Sequence, residues 1–159
     1  MVRYNHKFNI MKADVLVTQI LNTKKNNGVV MVTQNTPVKE VADVLSARNI
    51  GSVVISSDGQ IPEGIVSERD VVRAIAKHGE AALEFQTSAI MTRNPYTCEP
   101  SATADDVLSL MTEKRFRHIP VLENGRLVGI ITQGDVVKAK LSEVSMEKDA
   151  LENMITGCW

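Results

Sequence analysis

The sequence predicts an α/β (α+β) protein built from two tandem copies of one small β-α-β-β-α unit. Three observations carry this. Gly64-Ile65-Val66-Ser67-Glu68-Arg69-Asp70-Val71-Val72 returns as Gly129-Ile130-Ile131-Thr132-Gln133-Gly134-Asp135-Val136-Val137. Upstream, Ile50-Gly51-Ser52-Val53-Val54-Ile55 lines up with Phe116-Arg117-His118-Ile119-Pro120-Val121, and a one-residue slip is absorbed in the turns Asp58-Gly59-Gln60 and Asn124-Gly125-Arg126. In both copies two short apolar runs give way to a segment with helical spacing at the same point. Such copies are too long for solenoid repeats, and each is too small to bury a comfortable core alone.

In the first copy Val29 to Thr33 is a β-branched run and reads as a strand. Thr36 is the expected N-cap of a helix with Pro37 in its first turn. Val38, Val41, Ala42 and Leu45 share one face of that helix, which should end near Arg48-Asn49. Ser52 to Ser56 is a strand, Asp58-Gly59 a turn, and Gly64 to Val66 the returning strand. A helix follows from Glu68 to Lys77, and Gly79 is placed to stop it. The second copy repeats the order with Tyr96 to Cys98, Thr103 to Lys114, His118 to Glu123, Leu127 to Ile131, and a helix from Gln133. Outside the copies, Leu16, Val17, Ile20 and Leu21 lie on one side of a leading helix over Asp14 to Thr23. Leu141, Val144, Leu151 and Ile155 mark an amphipathic tail helix, expected to dock on the module or on a partner subunit. The expected division is 14–79 for the first domain, 80–141 for the second and 142–159 for the tail.

Composition narrows the function classes. The chain of 159 residues is 43% hydrophobic but only 4% aromatic, so aliphatic side chains must fill the core. Eighteen basic residues against nineteen acidic ones give a net charge of −1, which argues against a dedicated nucleic-acid binder. Cys98 and Cys158 are too few for a disulfide framework and lack metal-ligand spacing; Cys98 reads as a small core residue and Cys158 as a free thiol. The segment Met1 to Lys7 lacks the apolar run of a signal peptide, and no run is long enough to span a bilayer, so a cytoplasmic protein is expected. There is no Walker loop, no Gly-x-Gly-x-x-Gly and no His-Glu-x-x-His; His6, His78 and His118 lie far apart without a nucleophile beside them. These absences argue against an enzyme.

Ser67-x-x-Asp70 and Thr132-x-x-Asp135 have the form of a capping box, whose two side chains satisfy free amides at a helix start. Occurring twice in register after matching helix-strand units, they make residues 14–141 resemble the CBS (cystathionine β-synthase-type) domain family. Arg117-His118-Ile119-Pro120-Val121 and Ile90-Met91-Thr92-Arg93 add to the likeness.

The resemblance implies two domains packed about a pseudo-twofold axis, with two clefts that take AMP, ADP, ATP, related adenosyl compounds or dinucleotides such as NAD(H). It gives Ser67 and Thr132 a role on phosphate, and Asp70 and Asp135 a role on the ribose diol. Helix N-termini suit phosphate for their own reason, since unpaired N–H groups and the positive dipole end meet there. Arg69 is a phosphate candidate with no basic counterpart, because Gly134 matches it. Arg117 and His118 likewise face Gly51 and Ser52 in the other copy. Val30, Met31, Val53 and Ile119 are ordinary core candidates whose family counterparts lie near the adenine; Gly51, Ser52 and Pro120 complete the matched site. The expected protein is a stand-alone regulatory module without an obligatory cofactor or metal. Family habit and the apolar flanks also suggest a homodimer. The competing reading is a scaffold that acts by protein or nucleic-acid contact without nucleotide.

Overall fold

The computed structural model describes residues 14–25 and 28–157. The order of elements is α1 (Val17–Thr23), β1 (Met31–Val32), α2 (Val38–Arg48), β2 (Ser52–Ile55), β3 (Gly64–Ser67), α3 (Glu68–His78), β4 (Thr92–Arg93), α4 (Ala104–Lys114), β5 (His118–Glu123), β6 (Arg126–Thr132) and α5 (Gln133–Thr156). Two short 3-10 turns, Gly79–Glu84 and Thr87–Ala89, bridge α3 and β4. The mixed α/β architecture of two repeated units is present as the sequence predicts.

The first unit is a four-stranded sheet in the order β1-β2-β3-β4, with β1 parallel to β2 and the others antiparallel. The second is the antiparallel pair β5-β6. Equivalent residues pair in both: Val53 with Val66 in one, Ile119 with Ile131 in the other. The Glu68 amide donates to the Gly51 carbonyl at 3.0 Å, and the Gln133 amide to the Arg117 carbonyl at 2.8 Å. The hairpin β5-β6 turns on Asn124 and Gly125, both at positive φ, as a two-residue turn requires. Two cores result. Val38, Val41, Leu45, Val53, Ile55, Val66, Val71 and Met91 fill the first; Val107, Met111, Ile119, Val121, Ile131 and Val136 fill most of the second.

The units exchange segments. Val17 and Ile20 of α1 are buried in the second core, whereas Phe85, Ile90 and Met91 pack in the first. The two exchanges match bond for bond. The Val17 amide donates to the Ala102 carbonyl at 2.9 Å and the Ala104 amide to Val15 at 2.7 Å; Thr87 donates to Thr36 at 2.8 Å and Val38 to Phe85 at 2.9 Å. Two glycines seat the exchanged side chains. A Cβ on Gly64 would lie 2.6 Å from Met91 Sδ, and one on Gly129 2.7 Å from Leu21 Cδ2. The packing units therefore differ from the contiguous segments 14–79 and 80–141, because 14–24 serves the second unit and 85–93 the first.

Several local expectations are corrected. Pro37 is the N-cap itself, extended at φ −62°, ψ 144°, and α2 begins at Val38. Thr36 cannot cap, because its hydroxyl accepts from the Thr33 amide at 3.2 Å and closes the preceding turn. Tyr96 to Cys98 is not a strand: Cys98 alone bridges to Val121, between Pro95 and Pro100, which lack the N–H a ladder needs. The tail is no separate helix either. It continues the second copy's last helix as the 24-residue α5, and past Glu143 every described residue is exposed, so most of it does not dock on the module.

Candidate functional site

Where β3 hands over to α3, the chain leaves Ser67 extended at φ −108°, ψ 165° and enters the helix at Glu68. Asp70 Oδ2 accepts both the Ser67 amide and the Ser67 hydroxyl at 2.8 Å. The hydroxyl is thus turned to the carboxylate, and the helix presents its N-terminus with an acid fixed one turn in. Beside it opens a cleft of about 320 Å³ lined from both units, within the size usual for small-ligand sites. From the first unit come Gly51, Ser67, Glu68, Arg69, Asp70 and Arg73; from the second, Lys114, Arg115, Phe116, Arg117 and His118. Arg69, Arg73, Lys114, Arg115 and Arg117 outnumber the acids Glu68 and Asp70, so the cleft favours an anion.

Gly51 lets the second unit come close. A Cβ there would sit 2.9 Å from His118 Nε2. Burial lowers the His118 pKa; Lys24 and Arg117 act the same way, while Glu68 and Asp135 oppose them. The imidazole is therefore held neutral near pH 7, at the seam between the units. Tyr96 stacks on Phe116 with ring centroids 5.4 Å apart and planes 12° from parallel, and both rings line the cleft.

The equivalent place in the second copy is built differently. Thr132 caps α5 in full: its hydroxyl accepts the Asp135 amide at 3.1 Å, and Asp135 Oδ2 accepts the Thr132 amide at 2.9 Å. Lys24 Nζ lies 2.7 Å from the same Oδ2 and 2.9 Å from the Ile130 carbonyl. Burial raises the Asp135 pKa, but the bonds from Lys24 and Thr132 outweigh it and hold the carboxyl below its usual range.

Of the residues expected at the site, Gly51, Ser67, Arg69, Asp70, Arg117 and His118 come together in the first cleft. Thr132 and Asp135 stand apart from it, engaged with each other and with Lys24. Val53 and Ile119 have no exposed surface and are core residues, as their apolar runs predict. Ser52 and Pro120 are also buried. Val30 packs against the first core, and Met31 is 39% exposed on β1, outside the cleft lining. Sequence reasoning missed Arg73, Lys114, Arg115 and Tyr96. Arg73 was legible, lying one helical turn beyond Arg69; the others sit at a helix C-terminus and in an irregular loop, where periodicity is silent. Among the described residues, no group of three or more His, Cys, Asp or Glu gathers to hold a metal ion. No helix among them is long and apolar enough to cross a membrane.

The family model for the CBS domain matches residues 17–77 and 88–142. The crystal structure of the CBS-domain containing protein ATU1752 from Agrobacterium tumefaciens is 44% identical, covering 79% of this chain and 99% of that one with a TM-score of 0.75. CBS domain protein PAE2072 from Pyrobaculum aerophilum, solved in complex with AMP, is 26% identical over 76% of this chain and 89% of that one, with a TM-score of 0.67. The mitochondrial CBS domain-containing protein CBSX3 of Arabidopsis thaliana is 31% identical over 79% of this chain. The chain spans 63% of that protein's length, and 22% and 52% of two further curated relatives. With two family matches that together take in both repeated units, the chain belongs to the CBS domain family.

Proposed function

We propose that the chain is a regulatory module, not an enzyme, and that it binds an adenine nucleotide in the first cleft. The observation that carries this is the meeting of the Ser67–Asp70 pair with five cationic side chains across one opening. Asp70 is placed to accept a ribose diol. The N-terminus of α3, Arg69 and Arg117 surround the position a phosphate would take. The AMP complex of the Pyrobaculum relative supports the ligand class. The second cleft is read as closed, because Lys24 already holds the carboxylate that a ribose would need.

A dinucleotide such as NAD(H) is the second reading, favoured by the Tyr96–Phe116 stack, whose rings offer a second flat surface in the same cleft. AMP, ADP, ATP and NAD(H), each at millimolar concentration, should raise the melting temperature. A ligand at about 100 times its Kd adds about 2.7 kcal/mol. Unchanged melting with all four, together with no heat in calorimetry, returns the chain to the scaffold reading.

A further inference from the structure

We propose that Arg115 is a specificity residue of the first cleft. It reads a phosphate beyond the one joined to the ribose, so that the cleft prefers a nucleoside diphosphate or triphosphate to a monophosphate. The proposal rests on the nucleotide reading of that cleft. Its starting point is the backbone. Among the described residues, four that are not glycine have positive φ: Asn49, Asn94, Arg115 and Asn124. Three are asparagine, whose short side chain suits the left-handed region; arginine has no such advantage there. Of the four, Arg115 alone lines the cleft.

The turn itself does not ask for arginine. Arg115 is the first residue past α4, at φ 60° and ψ 42°, and its amide donates to the Met111 carbonyl. The Phe116 amide reaches the same carbonyl at 3.2 Å. The first copy closes α2 in the same way, with Asn49 at φ 51° and ψ 49°. There the Ile50 amide donates to the Leu45 carbonyl at 3.1 Å. Asparagine therefore suffices for this turn. Nor does the end of α4 lack a cation, since Lys114 already stands in its last turn. Met111 is buried, and Phe116 packs on the second core and stacks on Tyr96. The turn is thus pinned on both sides, with the Arg115 side chain set at the cleft.

The charges of the cleft say what an arginine there would meet. A phosphate joined to the ribose has the N-terminus of α3, Arg69 and Arg117 around it. Arg73, Lys114 and Arg115 are left over, and Lys114 is engaged by Glu113 at 2.8 Å. A monophosphate gives Arg73 and Arg115 no anion to pair with. A second or third phosphate does, and guanidinium matches its oxygens in pairs.

Calorimetric titrations of AMP, ADP, ATP and NAD(H), without magnesium, test the assignment on the full chain. Wild type should bind ATP at least about tenfold more tightly than AMP. Arg115→Gly and Arg115→Asn should each weaken ATP about tenfold and leave AMP unchanged. Arg115→Lys, which keeps the charge, should retain most of the ATP affinity. Melting gives a second readout with the opposite sign: Arg115→Gly relieves the left-handed backbone and should raise the melting temperature by about 2–4 °C without ligand. A residue that serves only the end of α4 would lower the melting temperature when changed and leave the ratio of ATP to AMP affinity untouched. That result overturns the proposal, as does equal loss of AMP and ATP, with the nucleotide reading intact in both cases. Loss of NAD(H) affinity with ATP unchanged would give Arg115 to a dinucleotide and overturns it too. Failure of wild type to bind any of the four overturns the nucleotide reading and this proposal together.

Discussion

Lys24 and Asp135 meet at 2.7 Å, joining the end of the leading helix to the start of the last one. The pair is partly exposed, at 21% and 24% of the two side chains, so it stabilises modestly. Lys24→Met should cost about 1 kcal/mol in urea denaturation. It should also free the carboxylate and raise the AMP stoichiometry from one to two per chain in calorimetry. A stoichiometry still at one would show that the second cleft is closed by its shape and not by this ion pair.

Because the folded state holds the Asp135 pKa below its usual value, the linked stability is present above the unfolded carboxylate pKa. It is lost as pH falls through the folded value. The melting temperature of Asp135→Asn should therefore lie below wild type at neutral pH, and the two should converge in the acid range. Parallel curves across the whole range would mean that asparagine loses only packing, with no proton-linked contribution.

Arg69 and Asp70 are expected to divide the ligand between them. With Asp135→Ala as background, Arg69→Ala should weaken AMP about 10- to 100-fold, given about 1.5–3 kcal/mol for a hydrogen bond to a charged group. Adenosine binding should barely change, because it carries no phosphate. Asp70→Asn should weaken both ligands. Equal loss of AMP and adenosine in the arginine variant would make Arg69 a shaper of the cleft and shift the phosphate contact to Arg117.

A methyl group added at Gly129 or Gly64 would overlap the end of the Leu21 or Met91 side chain, at 2.7 and 2.6 Å, which must shift to admit it. Gly64→Ala and Gly129→Ala should each destabilise by about 1–3 kcal/mol in chemical denaturation. Gly134→Ala is the control: its Cβ would meet nothing closer than Thr132 Oγ1 at 3.7 Å, and it should be tolerated. Full tolerance at Gly64 and Gly129 would show that the exchanged segments are held loosely.

Burial pushes the Cys98 thiol up to about 11. In a Cys158→Ser background, iodoacetamide at neutral pH should modify it slowly in the native state and rapidly in urea. Fast native labelling would mean that the segment between Pro95 and Pro100 opens readily.

The repeat, both antiparallel strand pairs and the Ser/Thr–Asp helix starts were legible because each is a local pattern of apolar spacing and turn chemistry. The site was half legible for the same reason. Ser67, Arg69 and Asp70 advertise themselves in one short motif, while Lys114 and Arg115 reach the cleft only because the other unit is folded against it. Lys24 was invisible. Its role depends on where α1 packs, and nothing in its neighbourhood distinguishes it from a surface lysine. The exchange of segments was hidden too, since the periodicity that shows α1 to be amphipathic does not say which of two similar cores receives it. Tyr96 to Cys98 misled through its β-branched and aromatic neighbours, although its flanking prolines argued against a full ladder.

The reciprocal exchange also bears on how the chain is made. Leu16 has its bridge to Thr103 and Val17 its bond to Ala102, so α1 leaves the ribosome with no partner until the second unit has followed. During that interval its apolar face is exposed, and the second unit lacks part of its core. The first unit, by contrast, is complete once Phe85 to Arg93 has emerged. Synthesis should therefore pass through a half-built species whose last closure is the docking of α1, a long-range step of the kind that sets folding speed.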